Sequence, residues 1–115
     1  MFFNFNSKKI SKIIYKSLGE IFMKDIKKIF INKYITITYI NFFKDLNLLK
    51  VYIDFGIEKD KFYMLYKIEK YNSYIRKLLG NYIGKKIKKI PYIKFYIDNS
   101  LGFILKINNL LLSSR

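Results

Sequence analysis

The sequence predicts a two-layer α+β fold: a three-stranded mixed sheet with helices on one face, in the order helix, strand, strand, helix, helix, strand. Two observations define the elements. Apolar residues recur at three-four spacing in the helical segments and alternate with period two in three short runs. A third sets the layering, because each strand has one apolar side and one mixed side, as a sheet covered on a single face requires.

The first helix is expected over Ser7 to Met23, with Ile10, Ile13, Ile14, Leu18, Ile21 and Phe22 on its stripe and Ser7 as its cap. Lys9, Lys12 and Lys16 fall off that stripe. Asp25 to Lys33 reads as a connector. The first strand spans Tyr34 to Ile40, with Ile35, Ile37 and Tyr39 on one side. After a turn over Asn41 to Asn47, the second runs from Leu48 to Phe55, with Leu49, Val51, Ile53 and Phe55 inward, and Gly56 ends it. Adjacent strands most simply pair antiparallel. Glu58 to Tyr71 has a weaker helical pattern through Phe62, Leu65, Ile68 and Tyr71, interrupted by the capping types Asn72 and Ser73. A cleaner helix is expected from Ser73 to Ile90, its stripe being Ile75, Leu78, Leu79, Tyr82, Ile83, Ile87 and Ile90. Pro91 stops it, since proline disfavours the α region in the residue before it. Tyr92 to Asp98 is the third strand, and Leu101 to Arg115 a closing segment. A central first strand would pair antiparallel with the second and parallel with the third, the two-helix crossover permitting the parallel pair.

The 115 residues suit one domain, with residues 1–6 an N-terminal extension and 101–115 the closing segment. At 51% apolar and 19% aromatic the chain is too hydrophobic for disorder. Its longest uncharged run, Tyr34 to Phe43, falls short of the ~20 residues a membrane span needs. The lysines follow the aromatic patch at the amino terminus, the wrong order for a signal peptide. A cytoplasmic protein is expected.

Cysteine and histidine are both absent, which removes disulfides, thiolate and imidazole metal sites and every Ser-His or Cys-His nucleophile. Glu58 and Asp60 are neighbours in a turn beside Lys59 and Lys61, where solvated charge is the simpler reading. There is neither a phosphate-binding Walker loop nor a Gly-x-Gly-x-x-Gly. Gly80 and Gly84 form a Gly-x-x-x-Gly in a helix too charged for a membrane, so close approach is their expected role. No enzyme, cofactor, metal or small-molecule substrate is expected.

A net charge of +15 points towards a polyanion. The absence of Ala, Gln and Trp and the flood of Ile, Lys, Asn, Phe and Tyr also fit an AT-rich gene, so lysine number alone carries limited weight. Placement carries more. The candidate RNA-binding residues are Lys9, Lys12 and Lys16 on the first helix, Asn72, Ser73, Arg76 and Lys77 at the interhelical pivot, and Lys85, Lys86, Lys88 and Lys89 before Pro91. A helix starting in a sharp turn presents free backbone N–H groups to phosphate. The element order is also that of one version (type II) of the KH nucleic-acid-binding fold, although the Gly-x-x-Gly clamp of ordinary KH domains is missing.

Asp45-Leu46 with Leu49-Lys50-Val51-Tyr52, then Ile75-Arg76-Lys77-Leu78-Leu79-Gly80, then the run from Ile90-Pro91-Tyr92 to Asp98-Asn99-Ser100 resemble the ribosome-binding factor A family. The likeness extends from about Ser7 to Leu112. It implies a KH-like fold in which an Ala-x-Gly kink replaces the clamp. It also implies a non-enzymatic, monomeric maturation factor that binds immature 30S small subunits and 16S rRNA, supports processing of the 5′-terminal region, and leaves the mature particle. Here the kink positions read Tyr71-Asn72-Ser73, and the family's Asp-Pro-Arg after the first helix is missing, Lys27 to Phe30 occupying that place. The alternatives are a basic structural protein retained in the mature small subunit and a membrane-surface protein using the first helix; no membrane partner is expected in the leading reading.

Overall fold

A computed structural model describes residues 7–98, so the closing segment lies outside the described residues. The first helix, α1 (Ser7–Ile21), buries Ile10, Ile14, Leu18 and Ile21, the stripe its spacing predicts. It does not end at Met23. A π turn, Phe22–Ile26, follows without a break, its ring closed by the Lys27 N–H on the Phe22 carbonyl, and leads into α2 (Lys27–Ile29). The extra residue of a π turn rotates the stripe, so Phe22, Ile26 and Phe30 all stay buried. Most of the expected connector is therefore helix, and the chain leaves it at Asn32, whose φ is 63°.

The sheet order is β1-β2-β3, with β1 (Thr36–Phe43) antiparallel to β2 (Leu48–Asp54) and β2 parallel to β3 (Tyr92–Ile97). This corrects the expectation of a central first strand. Burial explains the order, since Leu49, Val51 and Ile53 of β2 are all 0% exposed, as a strand flanked on both edges demands. The register of β1 slips between Ile37 and Tyr39, leaving Thr38 as an extra residue. Side chains change face across such a bulge. Ile37, Ile40 and Phe42 accordingly turn towards the core, whereas Tyr39, expected beside Ile37, stands exposed and stacked on Tyr52. The β1–β2 connection is a 3-10 turn, Lys44–Leu46, closed by Asn47 in the left-handed region. The Tyr92 N–H then donates to the Asn47 carbonyl at 2.9 Å and sets the register of β3.

Gly56, at φ 65°, turns the chain out of β2, and its N–H donates to Asp54 Oδ1 at 2.8 Å. The third helix, α3 (Lys61–Glu69), is capped by Asp60, which accepts from the Tyr63 N–H at 2.9 Å. Glu58 meets Lys33 at 3.0 Å across an exposed surface. Both carboxylates of that turn thus have local structural partners. On α3 the inward residues are Met64 and Ile68, and Phe62, placed on the stripe by spacing, is 78% exposed.

Helix α4 (Asn72–Ile83) buries Ile75, Leu79 and Ile83, each such side chain contributing about 1.5–3 kcal/mol. It stops well before Ile90. Gly84 has φ 62° and ψ −130°, a conformation that breaks the helix, and a 3-10 turn, Gly84–Lys86, follows. Ile87 is extended yet buried, so the continuing isoleucine period marks contact with the core, not helix. Helix α1 packs against α4 and β1, and α3 against β3, which sets the helices on one sheet face. Phe22 meets Phe95 there at 6.3 Å.

The two glycines of the Gly-x-x-x-Gly differ in role. A Cβ at Gly80 would sit 3.4 Å from Ile90 Cγ1, an ordinary contact, whereas Gly84 has open space but a positive φ. Gly84→Ala should lose about 1–3 kcal/mol of stability to backbone strain. Gly80→Ala, inside a helix, should be neutral or gain up to about 1 kcal/mol. Urea denaturation of the two variants measures the contrast.

Candidate nucleic-acid interface

Only Lys70 and Tyr71 separate α3 from α4. The Tyr71 N–H donates to the Ile68 carbonyl and the Ile75 N–H to the Tyr71 carbonyl, both at 2.8 Å, while the Tyr71 ring meets Phe30 edge-on at 5.8 Å. The break between the helices is thus held by an aromatic contact and tight backbone bonds. Tyr71 occupies the cap position of α4 and makes no side-chain cap hydrogen bond. Asn72 and Ser73 are therefore helical residues, not caps, and no acid lies in the first turn. The expected break occurs, through different chemistry.

Asn72 and Arg76 face β3. The Asn72 amide donates to Glu69 Oε1 at 2.7 Å and to the Ile93 carbonyl at 2.8 Å. Arg76 Nε donates to the Pro91 carbonyl at 3.0 Å and Nη2 to the Ile90 carbonyl at 2.9 Å, with the guanidinium 4.6 Å from the Tyr92 ring centroid. These bonds satisfy carbonyls along the start of an edge strand and pin the segment leading into it. Arginine suits this work, because its planar fork reaches two acceptors while stacking on an aromatic ring.

The remaining pivot residues, Ser73 and Lys77, are exposed. Between Gly84 and Ile90 the chain leaves the helix, so Lys86, Lys88 and Lys89 project from an irregular segment with Ile87 as its buried anchor. Lys85 belongs to the same 3-10 turn, and its side chain lies outside the described residues. The α1 lysines form a separate group. Lys9, Lys12 and Lys16 are exposed; Lys12 lines a groove with Tyr15 and Ile40, and Lys16 lines one with Tyr34 and Thr36. Those grooves flank β1, whereas the Arg76 frame flanks β3, the opposite edge of the sheet. The structure therefore ties α4, through Arg76, to the outlet of the segment that carries Lys86, Lys88 and Lys89, and sets the α1 lysines along the other edge of the sheet.

The model of the ribosome-binding factor A family matches residues 6–111. The chain belongs to this family. A ribosome-binding factor A from Cytophaga hutchinsonii is 34% identical over 95 residues, covering 83% of this chain and 71% of that one. Another, from Prosthecochloris aestuarii, is 30% identical over 104 residues, covering 90% and 84%. The crystal structure of ribosome-binding factor A from Thermus thermophilus shares the fold, with a TM-score of 0.64 at 15% identity over 81% of this chain and 97% of that one. Family membership thus agrees with the α+β, KH-like architecture read from the element order. Among the described residues, no helix is long and apolar enough to cross a membrane.

Asn72→Ala leaves the Ile93 carbonyl without its side-chain donor, so the variant should lose about 1–3 kcal/mol of stability. Hydrogen exchange should show the loss as faster opening of β3 and the pivot.

Proposed function

We propose that the chain is a non-enzymatic assembly factor that docks on the immature 30S small ribosomal subunit. The observation that carries this reading is the Gly84–Ile90 segment, where exposed lysines stand beside a pinned pivot in a member of a ribosome-binding family. Docking is electrostatic: Lys77, Lys86, Lys88 and Lys89 neutralise phosphates of 16S rRNA, with the uncapped N–H groups of α4 as neighbouring donors. Asn72 and Arg76 hold the geometry. Lys9, Lys12 and Lys16 provide a second basic contact along α1. The resemblance adds the biological setting: a cytoplasmic, monomeric protein that supports late maturation and 5′-end processing of the precursor rRNA, then departs.

Sedimentation with immature and mature small subunits across a salt series tests the proposal. Selective, salt-sensitive association with immature particles is the expected result. Replacing Lys86, Lys88 and Lys89 together with Gln should lower the slope of log affinity against log salt by about 2–3. Equal, stoichiometric retention on mature subunits would instead mark a structural ribosomal protein, and an unchanged slope would make these lysines a solvated face.

A further inference from the structure

The sheet face turned away from the helices carries a row of tyrosines that the lysine segment does not involve. Tyr39, Tyr52 and Tyr96 stand in register across β1, β2 and β3. The Tyr39 and Tyr52 rings stack at 4.2 Å and 7°, and Tyr52 and Tyr96 at 5.2 Å and 21°. The Thr38 bulge makes this row, because without the extra residue Tyr39 would change face. The Thr38 hydroxyl donates to the Tyr52 carbonyl at 3.2 Å, fixing the bulge against the same pair.

Cations accompany the rings. The adjacent register row is Asn41, Lys50 and Lys94, and the next is Phe43, Leu48 and Tyr92. Lys50 Nζ lies 5.2 Å from the Phe43 ring centroid and 5.5 Å from that of Tyr96, while Lys94 is exposed. A hydrogen bond with Tyr52 raises the Tyr39 phenol above its ordinary pKa, with burial and the charges of Tyr52 and Asp98 adding to it. Phenols are uncharged at neutral pH and do not repel phosphate.

We propose that this face binds a single-stranded RNA segment whose unpaired bases extend the tyrosine stack while its phosphates lie along Lys50 and Lys94. The proposal rests on the chain being an RNA binder and adds a second surface with different chemistry. Among the described residues both β1 and β3 are edge strands and no further strand closes the ends of the row, and Tyr39 at the β1 end is 49% exposed. A base adds to an aromatic stack through its own ring face, with little regard to sequence. A duplex has no free ring faces to offer except at its ends. A second copy of the chain would bring Lys50 and Lys94 against like charge, so charge complementarity favours the polyanion.

The test uses the full chain and a labelled oligoadenylate of about ten nucleotides, with a duplex of the same length beside it. Tyr39→Thr and Tyr96→Thr, which keep strand propensity, should each weaken single-strand binding about tenfold and leave the salt slope unchanged. Lys50→Gln and Lys94→Gln should flatten the slope, and the tyrosine changes should not alter duplex binding. Circular dichroism verifies folding, and Lys94→Gln changes only an exposed side chain should a tyrosine variant unfold. Unchanged single-strand affinity in all four folded variants overturns the proposal, as does a tyrosine effect seen only in self-association. Subunit sedimentation run in parallel separates the two readings. Intact association with immature subunits and no oligonucleotide effect sinks this surface alone, and no association at all sinks the broader function.

Discussion

The bonds from α4 to the start of β3 are the constraint on which the interface depends. Pro91 and the alternation after it mark where this parallel edge strand begins, and side chains of α4 hold that start against the helices. Here the Asn72 amide takes the Ile93 carbonyl and the Arg76 fork takes those of Ile90 and Pro91. Three acceptors near the sheet edge are satisfied from one helix face. The same bonds fix the outlet of the segment that carries Lys86, Lys88 and Lys89, so the stability of β3 and the placement of charge share one origin.

The helix break at Gly84 completes that arrangement. Had α4 continued to Ile90, the lysines would lie along a regular helix running away from the sheet. The φ of 62° at Gly84 turns the chain instead, and Ile87 returns it to the core. Lys86 is thus held between the buried Ile83 and Ile87, and Lys88 and Lys89 between Ile87 and the buried Pro91. Such a segment can present several charges without the ordering cost of a free loop.

Much of this was legible in the sequence. Strict alternation identified β2 and β3 within a residue, and the stripe of α1 placed its core face correctly. The misses have physical causes. One bulge residue, Thr38, reversed the faces of β1 beyond it, and a period-two pattern holds no warning of an inserted residue. Isoleucines at 83, 87 and 90 kept a helical period through a segment that is extended at Ile87. The centre of the sheet depended on which strand could be buried on both edges, a tertiary matter. At the site, lysines were visible as charge, but sequence alone assigned Arg76 to phosphate. Its guanidinium meets backbone carbonyls 14 and 15 positions further along the chain only once the crossover has folded.

Arg76 is therefore where the account is most exposed to test. The charge-conserving change Arg76→Lys removes the two-pronged bond but keeps the positive charge. Folding stability and affinity for immature small subunits should be measured on that one variant, at a temperature where it remains folded. The account predicts a marked loss of stability with an unchanged salt slope of binding. Unchanged stability with a smaller salt slope would contradict it, placing the Arg76 guanidinium on RNA phosphate and not on β3.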